Sequence, residues 1–152
     1  MRIKIVIDGQ PTAKARARTR RVKGKTTTYD PQVDEKTTFR WRLRSALSRC
    51  DDIAGLFLRR IEVTIAYEMS LPLSMGKTER SRLLGTGHAK RPDLDNLAKF
   101  TLDAANGVLW RDDAQIESLN LRKYWGYEPR TIIIVDYLTN GEANANEKGT
   151  LT

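Results

Sequence analysis

Five aspartates and a lysine lie close together late in the chain: Asp93, Asp95, Lys99, Asp103, Asp112 and Asp113. Pro92 disfavours a helical conformation at Arg91, so a helix is predicted to open at Asp93 and run to Asn106, with Gly107 as its stop. Asp95 and Lys99 are four apart and share a face of that helix, and Asp103 continues the stripe. Asp112 and Asp113 follow Trp110 in the link to the next strand. If that link folds back, Asp113 comes beside Asp93 and Asp95. Three carboxylates at one point repel one another. A hard divalent cation relieves the repulsion, and an all-oxygen ligand set suits Mg²⁺, with Mn²⁺ an alternative. Such an ion can activate water and stabilise charge on a scissile phosphodiester. The same residues have ordinary uses as well. Asp at a helix start is a common cap, Asp-Asp in a loop is often a solvated turn, and Lys99 can simply pair with Asp95. Spacing alone leaves both readings open.

An anionic substrate is suggested from elsewhere in the chain. The 152 residues carry a formal net charge of +8. Residues 1–50 hold 14 Lys/Arg against 4 Asp/Glu, whereas residues 91–152 hold 7 against 10. One part of the chain is therefore suited to a polyanion and another concentrates carboxylates. Lys14, Arg16, Arg18, Arg20, Arg21, Lys23 and Lys25 are the candidates for phosphate contact, with Arg40 and Arg44 as an optional extension along one helix face. Contacts of this kind position nucleic acid without reading its sequence. A solvated charge run is the competing reading.

Cys50 and His88 are the single cysteine and histidine. They exclude an internal disulfide and leave too few ligands for structural zinc, and they fit a reducing, cytoplasmic setting. The opening MRIKIVIDG is too short and too charged for a signal peptide, and no apolar run approaches a membrane span. His88 is expected to be an ordinary loop histidine, Trp110 a core anchor that locates Asp112 and Asp113, and Cys50 inert. Tyr29 packs on the basic segment or touches DNA.

The elements that must position these residues follow from periodicity. Arg2–Asp8 alternates with Ile3, Ile5 and Ile7 on one side, a strand. Thr12–Thr28 has no apolar period and reads as a long basic loop or a hairpin around Gly24. Gln32–Arg49 is a predicted helix with Phe39, Leu43, Ala46 and Leu47 as its stripe and Trp41 to one side. Arg59–Met69 is a strand facing inward with Ile61, Val63, Ile65 and Tyr67. Leu71–Arg91 reads as a loop. Ile116–Trp125 and Thr131–Leu138 are strands expected to form a hairpin. The prediction is an α+β fold, with a mixed, mostly antiparallel sheet and two main helices, over residues 1–138. Residues 139–152 are predicted to be a disordered tail.

The string Lys90-Arg-Pro-Asp-Leu-Asp-Asn-Leu-Ala-Lys99, then Asp103-Ala104, then Trp110-Arg-Asp-Asp-Ala-Gln-Ile116 resembles the signature of the RusA family of Holliday junction resolvases. Gly9-Gln-Pro-Thr-Ala-Lys-Ala-Arg-Ala-Arg18 and Thr28-Tyr29 are similar to that family's N-terminal pattern, with Ala17 where proline is usual. The resemblance implies metal-binding aspartates at Asp93, Asp95 and Asp113, a functional lysine at Lys99 and a supporting role for Asp112. It also implies a homodimer that resolves four-way DNA junctions by paired symmetric nicks, in recombination and repair. Two other readings stand beside it. One is a basic nucleic-acid-binding module without catalysis, which leaves the acidic cluster unexplained. The other is a nuclease acting mainly on other branched DNA.

Overall fold

The computed structural model describes residues 1–50 and 57–138. The predicted tail, 139–152, lies outside the described residues. A four-stranded sheet forms the centre, in the spatial order β1 (Arg2–Asp8), β6 (Arg130–Tyr137), β4 (Ile61–Ser70), β5 (Ile116–Gly126). β6 is antiparallel to both β1 and β4, and β4–β5 is the parallel pair. The fold is therefore α+β with a mostly antiparallel sheet, as the sequence predicts.

The inward alternation is realised. Ile3, Ile5 and Ile7 on β1, Ile61, Val63, Ile65 and Tyr67 on β4, and Ile133, Val135 and Tyr137 on β6 are all buried. Helices α1 (Val33–Leu47) and α3 (Leu94–Ala105) complete the core. From α1 come Leu43 and Leu47, with Phe39 and Ala46 partly buried against them. From α3 come Leu97, Phe100, Thr101, Ala104 and Ala105. The two helices meet where the Phe39 ring sits edge-on to Phe100, 5.7 Å between centroids. The Tyr67 hydroxyl donates to Thr101 Oγ1 at 3.0 Å and so pins the middle of α3 to the sheet.

Two expectations are corrected. Leu71–Arg91 is not wholly loop: Lys77–Leu83 forms a short helix, α2. None of its residues is buried, so it has no apolar stripe to read; Glu79 in its first turn and Arg80 and Arg82 in its last suit the helix dipole instead. Nor do β5 and β6 form a hairpin. The three residues between Gly126 and Arg130 carry the chain across the end of β4, so β4 lies between them. Two strand spacings, roughly 10 Å, are within reach of so short a link.

This crossing explains Gly126. A Cβ there would fall 2.0 Å from the Glu68 side chain beneath it. Glu68 is buried and fixed, accepting from Arg130 Nε at 2.5 Å and from the Tyr124 hydroxyl at 3.4 Å. Gly126→Ala is expected to displace Glu68 and lower stability by about 1–3 kcal/mol, the usual range for overpacking. Urea unfolding checks it; a shift in midpoint too small to measure would show that Glu68 yields freely.

Candidate nucleic-acid and catalytic site

The basic segment folds as a hairpin, β2 (Arg18–Val22) paired with β3 (Lys25–Tyr29). Its two-residue turn has Lys23 at φ 48° and Gly24 at φ 79°, the positive values that a tight hairpin requires. Every residue of both strands is exposed. Cross-strand register puts Arg18, Arg20, Lys25 and Tyr29 on one face and Arg21 among threonines on the other. A two-stranded ribbon without a core is marginal in water on its own. Its arginines and lysines all face solvent.

The root of the hairpin is tied tightly to the domain. Lys14 N–H donates to the Asn96 carbonyl at 2.8 Å, in the first turns of α3. The buried Gln32 side chain donates to Ala13 O at 2.8 Å and accepts from Ala15 N–H at 2.6 Å. Lys14 Nζ also bonds the Asp103 carboxylate, and Lys36 Nζ bridges Asp30 at 2.5 Å and Asp103 at 3.4 Å. The Lys36 hydrogen bond is the main reason that the Asp30 carboxyl is pushed down to about 2. Burial acts to raise the Asp103 pKa, but Lys14 and Lys36 overcome it and hold it below its ordinary value. Lys14 thus has its ammonium engaged within the protein, unlike Arg16, Arg18, Arg20, Arg21, Lys23 and Lys25, which are exposed. Arg40 is engaged too. It donates to the Ala104 and Asp103 carbonyls at 3.1 Å and so satisfies the end of α3. Arg44 is exposed on α1, as is Trp41, at 65%.

Asp93 occupies the N-cap position of α3, yet its carboxylate makes no capping bond. The ordinary use of an aspartate there is absent, and the group is exposed beside Arg16, Arg91 and Asn96 in a shallow cleft. Arg91, which sequence reasoning passed over, stands in this cleft. Its place two residues before Asp93 is the available signal. Two residues on, Asp95 Oδ2 accepts from Lys99 Nζ, one turn later, at 3.0 Å, with both side chains more than 60% exposed. That bond, more than the general field of Lys99, lowers the Asp95 pKa.

The end of the cleft is braced from the sheet. Lys123 Nζ donates to the Lys90 and Pro92 carbonyls, both at 2.6 Å. His88 packs its ring 4.1 Å from that of Trp125 and accepts from Lys90 N–H at 3.3 Å. Burial, helped by Lys123, lowers its pKa below the ordinary imidazole value.

Asp112 and Asp113 have separate tasks. Asp112 caps a single 3₁₀ turn, Asp113–Gln115, by accepting from Ala114 N–H at 2.8 Å. Gln115 closes the same box, accepting from Arg111 and Asp112 N–H, and its amide reaches the Phe57 and Arg59 carbonyls. Trp110 is fully buried and donates its indole N–H to Asp113 Oδ1 at 2.7 Å. The Trp-x-Asp-Asp-x-Gln pattern is thus largely a device for holding Asp113 in place.

That place is not beside Asp93. Trp110 bridges to Asn106 at the C-terminal end of α3, and Leu109 accepts from Tyr137 at the same end of the sheet. Asp93 and Asp95 are at the other end of this 12-residue helix, roughly 18 Å away along its axis. The path along β5 agrees, since Lys123, which touches Pro92, is seven residues, about 23 Å, beyond Ile116. The expected fold-back of the link therefore does not occur within one chain, because buried Trp110 anchors it at the far end. Among the described residues no group of three His, Cys, Asp or Glu side chains is placed to hold a metal ion. One chain by itself does not fit a three-aspartate cation site.

A basic hairpin is thus rooted on a helix whose exposed N-terminal end carries two carboxylates and, one turn after Asp95, a lysine. The family model described as Endodeoxyribonuclease RusA matches residues 8–136, and the chain belongs to that family. Membership carries the reaction class, hydrolysis within a DNA strand. The chain is also similar to the uncharacterized protein YqaN of Bacillus subtilis (strain 168), with 27% identity over 134 residues, covering 88% of this chain and 94% of that protein. No helix among the described residues is long and apolar enough to cross a membrane.

Replacing Arg16, Arg18, Arg20 and Arg21 together by Ala tests the hairpin. DNA affinity is expected to fall, and the log–log salt dependence to flatten by roughly 0.9 for each phosphate that is no longer neutralised. Titration at several salt concentrations measures it; an unchanged slope would make the hairpin a solvated ribbon.

Proposed function

We propose that this protein is a divalent-metal-dependent Holliday junction resolvase that acts as a homodimer in DNA recombination and repair. The observation that carries this reading is the pair of exposed, uncapped carboxylates, Asp93 and Asp95, beside the root of the basic hairpin. The hairpin holds the phosphate backbone through Arg16, Arg18, Arg20, Arg21, Lys23 and Lys25. Lys14 acts as a tether that fixes the hairpin to α3. Asp113 completes the acidic site from a second chain, since its own chain keeps it at the far end of α3. Two chains then form two equivalent sites, each with Asp93, Asp95 and Lys99 from one subunit and Asp113 from the other. Mg²⁺, or Mn²⁺ in its place, is the cation such a trio takes, and two such sites suit paired nicks on a two-fold symmetric junction.

The test is cleavage of a synthetic four-way junction and a matched duplex, with Mg²⁺ or with EDTA. Paired nicks on the junction, lost in EDTA, are expected. Equal cutting of flaps and junctions would move the substrate to branched DNA in general. Tight binding without cleavage in any divalent metal would leave a binding module only.

A further inference from the structure

The acidic end of α3 has a second basic neighbour besides the hairpin. Residues 77–91 hold five Lys/Arg, namely Lys77, Arg80, Arg82, Lys90 and Arg91, against one acid, Glu79. Among the described residues none of the five is within ion-pair distance of a carboxylate, whereas Lys14, Lys36, Lys99 and Arg130 all are. Helix α2 has two unlike sides. Leu83 packs partly buried against the core, as does Leu84 just beyond it, and Arg80 Nη1 reaches back to Pro72 O at 3.5 Å. Lys77 and Ser81 are four apart, as are Thr78 and Arg82, so these residues share the outer face, and all are exposed. Lysine, arginine, serine and threonine side chains are the common donors to DNA phosphates.

α2 and the hairpin stand on opposite sides of α3. The hairpin leads into α1, whose Arg42 donates to the Asp8 carbonyl at 2.7 Å, so both lie toward β1 at one edge of the sheet. α2 belongs to the other edge, β5. Its last turn is bonded through Leu83 O to Thr86 N–H, and residues 85–88 run along β5, with His88 N–H on Lys123 O at 3.0 Å and Gly85 N–H on Trp125 O at 2.8 Å. Between the two lies the Asp93 cleft, lined by Arg16 from the approach to the hairpin and by Arg91 and Pro92 from the β5 side. Lys123 ties Pro92 to β5, and Trp125 lies two residues, roughly 7 Å, further on. That is about two nucleotide steps of B-DNA.

We infer that Lys77, Thr78, Ser81 and Arg82 form a second DNA grip, which holds the phosphate backbone on the far side of the acidic cleft from the hairpin. The adjoining cleft selects DNA, rather than an acidic protein surface, as the occupant. The grip rests on the nuclease reading above and adds to it: a strand held on both sides of Asp93 and Asp95 does not pivot about the hairpin, so its phosphate stays over the carboxylates.

The full-length protein and a synthetic four-way junction, in EDTA, test this. Lys77→Gln combined with Arg82→Gln is expected to flatten the log–log salt dependence of binding by roughly 1.8, two phosphate contacts at about 0.9 each. Lys77→Arg combined with Arg82→Lys keeps both charges and should keep the slope. Both positions are exposed, so circular dichroism and melting should not change. Cross-linking reads the placement. In a Cys50→Ser background, Arg82→Cys and Arg20→Cys are each labelled with a photoactivatable azidophenacyl group. They are expected to mark the junction on opposite sides of the phosphate that is nicked in Mg²⁺. Should the paired Gln substitutions fail to fold, the cross-links alone decide. A wild-type slope for those substitutions, or an Arg82→Cys that cross-links nowhere or on the hairpin's side of the nick, overturns the α2 grip and leaves the nuclease reading standing. A wild type that binds no junction overturns both.

Discussion

Asp95→Asn, Asp93→Asn and Asp113→Asn are each expected to abolish junction cleavage while leaving junction binding intact. Each removes a carboxylate charge without adding bulk, and the proposed binding surface is the separate, exposed hairpin. Asp112→Asn should behave differently. Its carboxylate caps the 3₁₀ turn, and an amide oxygen can still accept from Ala114 N–H, so most activity should survive. The sharper outcome comes from mixing. Asp95→Asn and Asp113→Asn are each inactive, but a mixed dimer contains one site built entirely from native residues. Statistical exchange of subunits should restore roughly a quarter of the wild-type sites, half the dimers with one good site each. These dimers hold one working site, so they should give single nicks rather than paired ones. Junction cleavage with one strand labelled per arm reads this directly. If the mixture stays inactive after subunit exchange, Asp113 does not act across chains.

Lys99→Ala should be nearly as damaging to rate and almost silent in stability. The Lys99 side chain is 62% exposed and its one partner among the described residues is Asp95, also exposed, so the melting temperature should move by no more than about 2 °C. Its ammonium stands beside Asp95, and in the proposed mechanism that is where charge develops during phosphodiester hydrolysis. Loss of one stabilising group aimed at such charge costs on the order of 10²–10³ in rate. Single-turnover cleavage on saturating junction should fall by that amount, with binding unchanged. Arg at this position should recover only part, because a planar fork does not reproduce a compact point charge. Wild-type cleavage by Lys99→Ala would remove the lysine from the mechanism.

Much of the fold is legible from residue order. The alternation of Ile3, Ile5 and Ile7, and of Ile61, Val63, Ile65 and Tyr67, names the buried faces of two strands. The stripe of Leu97, Thr101, Ala104 and Ala105 does so for α3. Trp110 reads as an anchor and is one. What residue order does not carry is anything decided by tertiary placement. A three-residue link between β5 and β6 permits a hairpin or a crossing of β4, and only the packing of β4 as a central strand chooses. The seven-residue helix α2 leaves no apolar signal because it buries nothing. The spacing from Asp95 to Asp113 allows them to meet; the burial of Trp110 at the far end of α3 prevents it. Lys14 sits in a basic run like its neighbours, and nothing local shows that Asp103, far along the chain, takes its charge.

The hairpin's lack of any buried residue has a consequence for how this protein can change. The core draws nothing from Arg18 to Tyr29, so under the proposed function DNA preference can change at those positions without risk to the core. The constraint falls instead on Lys14, Gln32, Lys36 and Asp103, which hold the mounting. On the proposed function, substrate preference is a removable fitting: the hairpin can change in length and charge while the framework that carries the aspartates stays the same.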